Sequence, residues 1–300
     1  MNKSEIFKMG GKIDNKTHVA LSILGIIGFV LTWWLASSFS KPQILPSPYR
    51  VLVAFKEILF EPHTYFNVWY SVKLNLSGYF IALLITIPFG FFISLYPVGR
   101  GLFSSNINAA RYLPLTAVTG LFIAWFGIKF DMKSYFMGFS ILIYLLPAMI
   151  QRVDETERIH LQIIHTLGAS TWQKFKYVYF PSTMSKFWKD VRLLTAISWT
   201  YIIVAELINK EGGVGAMIFN AGKQSRIDVI IAVLFLIIII GMLQDILFNF
   251  SHKLMFPYDY NIYRKVKEVK LVLVPVNPSE IAKPVTVEKK GLLQRWGLLK

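Results

Sequence analysis

The sequence predicts an all-α, polytopic membrane protein with about six transmembrane helices, and three observations carry that expectation. Of its 300 residues 54% are hydrophobic and only 16% are charged, and the charges crowd into a few stretches. Between them lie mainly apolar runs of about 18 residues or more, the length at which a helix rising about 1.5 Å per residue crosses a hydrocarbon core of about 30 Å. The basic residues are also shared unequally between alternate connections, the bias that orients a multi-pass chain.

The first run covers residues 17–40 and the second 74–99. The third, 112–128, is interrupted by Pro114, and the fourth is 134–151. A fifth, 193–205, is short unless it extends through Glu206 to residue 208, and the sixth, 229–250, is broken only by Asp245. Because hydrocarbon offers no partner to the backbone, each is read as a helix. Lysines precede the first run as in a signal peptide, but its length and the lack of a clear small-residue cleavage site argue for a retained span. The chain thus divides into an N-terminal segment (1–16), a transmembrane domain (17–256) and a polar, basic tail (257–300) interrupted by Pro275, Pro278 and Pro284. The tail is expected to be mostly mobile.

Orientation follows from the placement of Lys and Arg. With the N-terminus in the cytoplasm, inner segments hold 23 basic residues and outer segments 8; without the tail the ratio is 13 to 8, in the same direction. Both termini are therefore expected on the cytoplasmic side of a multi-pass chain. The formal net charge of +15 is explained by this bias and needs no nucleic acid.

Several chemistries are excluded. Cysteine is absent, which removes disulfides, thiol catalysis and zinc-thiolate sites. His160 and His165, five residues apart, point to different faces of a helix and form no metal motif. The nearest approach to a phosphate-binding loop, around Gly222-Lys223-Gln224, has Met217 in place of the first glycine and Gln224 in place of Ser/Thr. No convergent catalytic set is evident, and no cofactor is expected on this chain. A secondary transporter would carry ionisable groups deep in several spans, whereas Glu206 and Asp245 fall near predicted span ends.

The connections carry the remaining signals. Ser47-Pro48 caps and opens a short amphipathic helix with Val51, Leu52, Phe55, Ile58 and Leu59 on one face, suited either to the outer interface or to packing at the rim of the spans. The longest inner connection, 152–192, reads as a helix over 154–167, a stop at Gly168, a Ser170-Thr171-Trp172-Gln173 capping box and a second helix ending before Pro181. Gly212-Gly213-Val214-Gly215 suggests a turn or re-entrant segment near the outer surface. Glu206 is either beside a solute path or in a buried pair with a basic neighbour.

At the long inner loop the chain resembles the permease subunits of binding-protein-dependent ABC importers. Leu167-Gly168-Ala169-Ser170, followed at ten positions from the glycine by Val178 and then by Phe180-Pro181, is similar to their signature loop. Arg111-Tyr112-Leu113-Pro114, Trp125-Phe126-Gly127, Arg192, Val204-Ala205-Glu206 and the glycines at 212, 213 and 215 follow the order seen in the nitrate, sulfonate, taurine and bicarbonate branch. The resemblance implies a type I importer fold and import of a small solute, an anion of those types or, alternatively, a pyrimidine or other nutrient precursor. It implies Gln162, Thr166, Leu167, Gly168, Ala169, Ser170, Phe180 and Pro181 as the contact with cytoplasmic ABC ATPases, and Arg111, Pro114 and Glu206 on the translocation path. Its implied partners are those ATPases, which use ATP and Mg, a second permease subunit, most simply an identical copy, an extracytoplasmic solute-binding protein and membrane lipid. One departure is plain: Gln162-Ile163-Ile164 stands where the family carries Glu-Ala-Ala.

Overall fold

The computed structural model describes residues 14–208 and 211–260; Lys3, Lys8, Lys12 and nearly all of the basic tail lie outside them. The chain divides between Phe256 and Pro257, and every helix below belongs to the part ending at Phe256. Among the described residues the regular elements are all helical.

Helix α1, Asn15–Ser38, is long and apolar enough to span a membrane, yet none of its residues is buried within the chain. Its surroundings therefore lie outside the chain, except near its end, where the Trp33 indole donates to the Pro46 carbonyl at 3.1 Å. Helix α2, Pro48–Phe60, starts as expected: Ser47 accepts the Arg50 N–H, and Pro48 occupies the first turn, where a missing donor costs nothing. The face differs from the expectation. Val51, Ala54 and Ile58 are buried, whereas Leu52 is 68% exposed. The helix packs at the rim of the spans, mainly against the last one.

Helix α3, Pro62–Leu95, and helix α6, Phe130–Asp154, form the largest helix pair of the structure. Leu74 and Ala82 of α3 and Phe136, Met137, Leu145 and Met149 of α6 are buried in the core. Between them the third apolar run is rearranged. Helix α4, Pro97–Ala110, meets helix α5, Leu115–Phe126, at 109°. Pro114 caps α5 and does not interrupt a span, because a residue without an N–H fits a helix start better than an interior.

The inner connection also departs from expectation. The helix predicted over 154–167 is broken: α6 ends at Asp154, and α7, Arg158–Thr166, begins after an extended Glu157. The second helix does not end before Pro181. A single turn α8, Thr171–Lys174, passes into a π-helix, Phe175–Tyr179, and on into α9, Phe180–Leu193. The wider π-helical turn frees the space that a proline ring would otherwise contest with the carbonyl four residues before it. Helix α10, Thr195–Ile208, follows at 47° to this segment, so the fifth span is longer than its apolar run. Gly213 then starts a short returning helix α11, Val214–Lys223, and α12, Ile227–Met255, completes the bundle. Among the described residues four helices are long and apolar enough to span singly, and up to six spans result when each bent pair counts as one.

Candidate functional site: a capped hairpin and a buried polar row

The hairpin around Gly168 is built from two caps that local chemistry specifies. Gly168 has φ +74°, in the left-handed region that favours glycine. Its N–H donates to the His165 carbonyl at 2.9 Å, and the Ala169 N–H to Ile164 at 3.2 Å, the two bonds of a Schellman stop. Two residues on, the Gln173 N–H donates to Ser170 Oγ at 3.3 Å, while the Ser170 N–H donates to Gln173 Oε1 at 2.7 Å. Both halves of the capping box are therefore made. Thr166 closes the last turn of α7 by donating to the Gln162 carbonyl at 2.7 Å.

No residue of α7 is buried. Ile159, Ile163 and Leu167, spaced by four, form an apolar stripe 58%, 54% and 79% exposed, with Gln162 beside it. Such a stripe on a capped, preset helix is fit to enter a groove of another protein. Gln162 through Ser170 are thus brought together, whereas Phe180 and Pro181 are placed elsewhere. Phe180 joins Phe91 of α3 and Phe175 in an aromatic cluster, with ring centroids 5.0 Å apart for Phe91–Phe175 and 6.0 Å for each of the other two pairs. That cluster ties the segment after the hairpin to the long span α3.

A second tie was not legible in the sequence. Arg152, at the end of α6, places its guanidinium fork on Asp190 of α9 at 2.7 and 2.8 Å and its remaining nitrogen on Glu155 at 2.7 Å. This hydrogen bond from Arg152 holds the Glu155 carboxyl below the usual carboxylate range. Arg192 makes a similar fork with Asp245 at 2.5 and 2.7 Å, so Asp245 is satisfied inside α12 and does not lie near its end. Planar forks of this kind fix orientation as well as distance.

The other region is a row of polar groups through the bundle. Ser71 and Asn75, one turn apart on α3, are fully buried. The Ser71 hydroxyl donates to Glu206 Oε1 at 2.5 Å, and the Gly215 N–H to Glu206 Oε2 at 2.7 Å. The Val214 N–H donates to Ser71 Oγ at 2.9 Å, and the Gly213 N–H to Asn67 at 3.1 Å. Glu206, Ser71 and Asn67 thus each accept one of the free amides at the opening of α11, and Glu206 sits where the helix dipole favours a negative charge. Lys133 is also fully buried, and its ammonium donates to the Tyr70 hydroxyl at 3.1 Å. One turn deeper, Asn75 donates to Ser198 at 2.9 Å, Gln244 to Asn75 at 2.8 Å and the Trp199 indole to Gln244 at 2.8 Å. The row joins α3, α10, α11 and α12.

Arg111 and Pro114 lie at the corner between α4 and α5, with Arg111 donating to Asn108 at 2.7 Å. Among the described residues no hydrogen bond or ion pair links them to Glu206. No cluster of three or more His, Asp or Glu side chains is placed to hold a metal among those residues.

Fold and hairpin together define a multi-pass membrane protein that presents a rigid, doubly capped hairpin beside its spans. Residues 86–257 match the family of binding-protein-dependent transport system inner membrane components, and the chain belongs to that family. It is 28% identical over 238 residues to the taurine transport system permease protein TauC of Escherichia coli K12, covering 76% of this chain and 86% of the relative. It is 27% identical over 222 residues to the putative aliphatic sulfonates transport permease protein SsuC of the same organism, covering 73% and 84%. The formylaminopyrimidine transport permease protein ThiX of Halalkalibacterium halodurans is 24% identical over 221 residues, covering 69% of this chain and 83% of that one. A chain of the MetNI methionine ABC transporter, crystallised in inward-facing conformations, superposes with a TM-score of 0.52 at 15% identity, over 64% of this chain and 94% of that one. The fold is that of type I importer permeases, and the relatives place the chain with the sulfonate and taurine branch.

Proposed function

We propose that this chain is the membrane-spanning subunit of an ATP-driven importer for a small oxoanion of the sulfonate, taurine, nitrate or bicarbonate type. ATP and Mg are used by separate cytoplasmic ATPases that dock on the Gly168 hairpin, and the solute is delivered by an extracytoplasmic binding protein. A second copy of the chain completes the path, with both termini in the cytoplasm of the bacterial inner membrane and lipid around the spans.

The exposed stripe of Ile159, Ile163 and Leu167 on a doubly capped hairpin carries this reading. Apolar side chains presented on a rigid cytoplasmic turn gain from burial in a partner and lose little entropy in docking. The Phe91–Phe175–Phe180 cluster and the Arg152–Asp190 fork then offer two rigid routes from the hairpin to the spans. Discrete rigid contacts of this kind are what a rigid-body rearrangement of spans needs. Gln162 replaces the family's carboxylate on the hairpin, so docking here rests on shape and apolar contact.

The reading is tested by reconstituting the chain with its ATPase and binding protein in proteoliposomes. ATP-dependent uptake of labelled taurine, an alkanesulfonate, nitrate or bicarbonate is expected. Uptake of a formylaminopyrimidine in their place would move the substrate to the class named for ThiX. Solute movement without an ATPase would overturn the ATP-driven mechanism.

A further inference from the structure

Tyr144 of α6 and Tyr201 of α10 face each other, their rings stacked with centroids 6.4 Å apart and 22° between planes, and their hydroxyl oxygens 3.1 Å apart. Both are half-buried. Tyr144 stands fourteen residues beyond Phe130 and ten before Asp154, close to the middle of its span. At about 1.5 Å per residue, each end of α6 is roughly 15–20 Å away, so the pair lies near the midplane of the bilayer.

We propose that this hydroxyl pair is a contact site for the transported solute, an acceptor-rich oxoanion, at the midpoint of its path. The inference rests on the import reading above and names residues which that reading does not. Two phenols carry two donor protons, and one hydrogen bond between them uses one. Among the described residues no acceptor takes the second. A donor left open in hydrocarbon is costly, and tyrosine facing lipid belongs at the interfaces, where its hydroxyl reaches water. A half-exposed pair at the midplane therefore faces a wet path.

The charges on α6 reinforce the assignment. Lys133 and Arg152 lie eleven and eight residues from Tyr144, and both are engaged, with Tyr70 and with Asp190 and Glu155. At the pair itself the donors are neutral. Neutral hydroxyls replace part of an anion's hydration without holding it as an ammonium or guanidinium would, which suits a step that must also release. The bond between the phenols polarises the free proton toward the solute.

The test uses the reconstituted complex and the labelled taurine, alkanesulfonate, nitrate and bicarbonate series, with Tyr144→Phe, Tyr201→Phe and the double variant. Either single change leaves one hydroxyl able to donate, so the apparent KM should rise about two-fold or less. The double change removes the last donor, and KM should rise about ten-fold, the loss expected for one unreplaced hydrogen bond. ATPase stimulation by the binding protein and thermal stability should hold in all three. A purely structural clamp gives the opposite pattern: each single change lowers the melting temperature as far as the double, and KM stays at the native value. That result overturns the proposal while leaving ATP-driven import standing. A wild-type complex that imports none of the four anions overturns the oxoanion assignment itself. The chain has no cysteine, so Tyr144→Cys gives an independent readout. A polar maleimide should label it, and saturating solute should slow the labelling; no labelling at all would place the pair against lipid and end the proposal.

Discussion

The Glu206 carboxylate accepts the Ser71 hydroxyl at 2.5 Å across 135 positions of sequence, while its second oxygen accepts the Gly215 N–H at 2.7 Å. One side chain thereby locks the end of α10 to α3 and to the start of α11. Glu206→Gln keeps the shape but turns one acceptor into a donor that faces either a hydroxyl or an N–H. Loss of a buried partner costs about 1–3 kcal/mol. The purified variant should melt at a lower temperature, and Asn220→Cys on the exposed side of α11 should label faster in its background. If stability and labelling are native and transport alone falls, Glu206 acts on the solute and not on α11.

Gly213 should behave as part of the same device. Its φ of +102° strains any L side chain, and a Cβ there would overlap the Glu206 carboxylate. Gly213→Ala is expected to destabilise by about 1–2 kcal/mol from backbone strain alone. Combined with Glu206→Gln it should cost less than the two separate losses added, because both release the same helix start. Full additivity in thermal melts would separate the two sites.

Gly168 differs in having open space around it, with nothing within 4 Å of a built Cβ. The cost of Gly168→Val is therefore one of backbone angle, about 1–2 kcal/mol, and insertion into the membrane should be unaffected. ATPase activity should lose its dependence on the solute-loaded binding protein, or the ATPase should fail to co-purify. Gly168→Asn, which tolerates left-handed angles, should keep most of the coupling. Native coupling in the valine variant would remove the hairpin from the docking role.

Topology has a direct check. Ser170→Cys should react with a membrane-impermeant maleimide only from the cytoplasmic side, and Asn220→Cys only from outside. Reversal of the pair would invert the orientation read from the charge bias.

The Arg152 fork predicts a pH effect. Glu155 has its carboxyl lowered below the ordinary 4.5, first by the hydrogen bond from Arg152. A carboxylate depressed in the fold lends stability that is fully present above its unfolded pKa and is lost as pH falls through the lower folded value. The wild-type melting temperature should therefore drop on acidification below about 4.5 more steeply than that of Glu155→Gln. Arg152→Lys should lose the bidentate contact with Asp190 and weaken coupling between α6 and α9 even at neutral pH. Equal acid sensitivity of wild type and Glu155→Gln would remove this contribution.

What the sequence by itself determined is what its short range encodes. The apolar runs are contiguous, and the Ser47-Pro48 start, the Gly168 stop and the Ser170–Gln173 capping box depend on groups within a few residues of one another. The membrane architecture and the hairpin were legible for that reason. Only the tertiary structure decided that Pro181 continues a helix through a π-turn, that α6 breaks at Asp154, and that Val51, Ala54 and Ile58 form the buried face of α2. It also decided the partners of Glu206, of Arg152 and of the two tyrosines, which are 135, 38 and 57 positions apart in sequence. The physical reason is that lipid and protein core are both apolar, so periodicity gives little contrast between the two faces of a span. Which side of a helix turns inward is then set by where polar groups on separate spans meet, and that meeting exists only once the chain is folded.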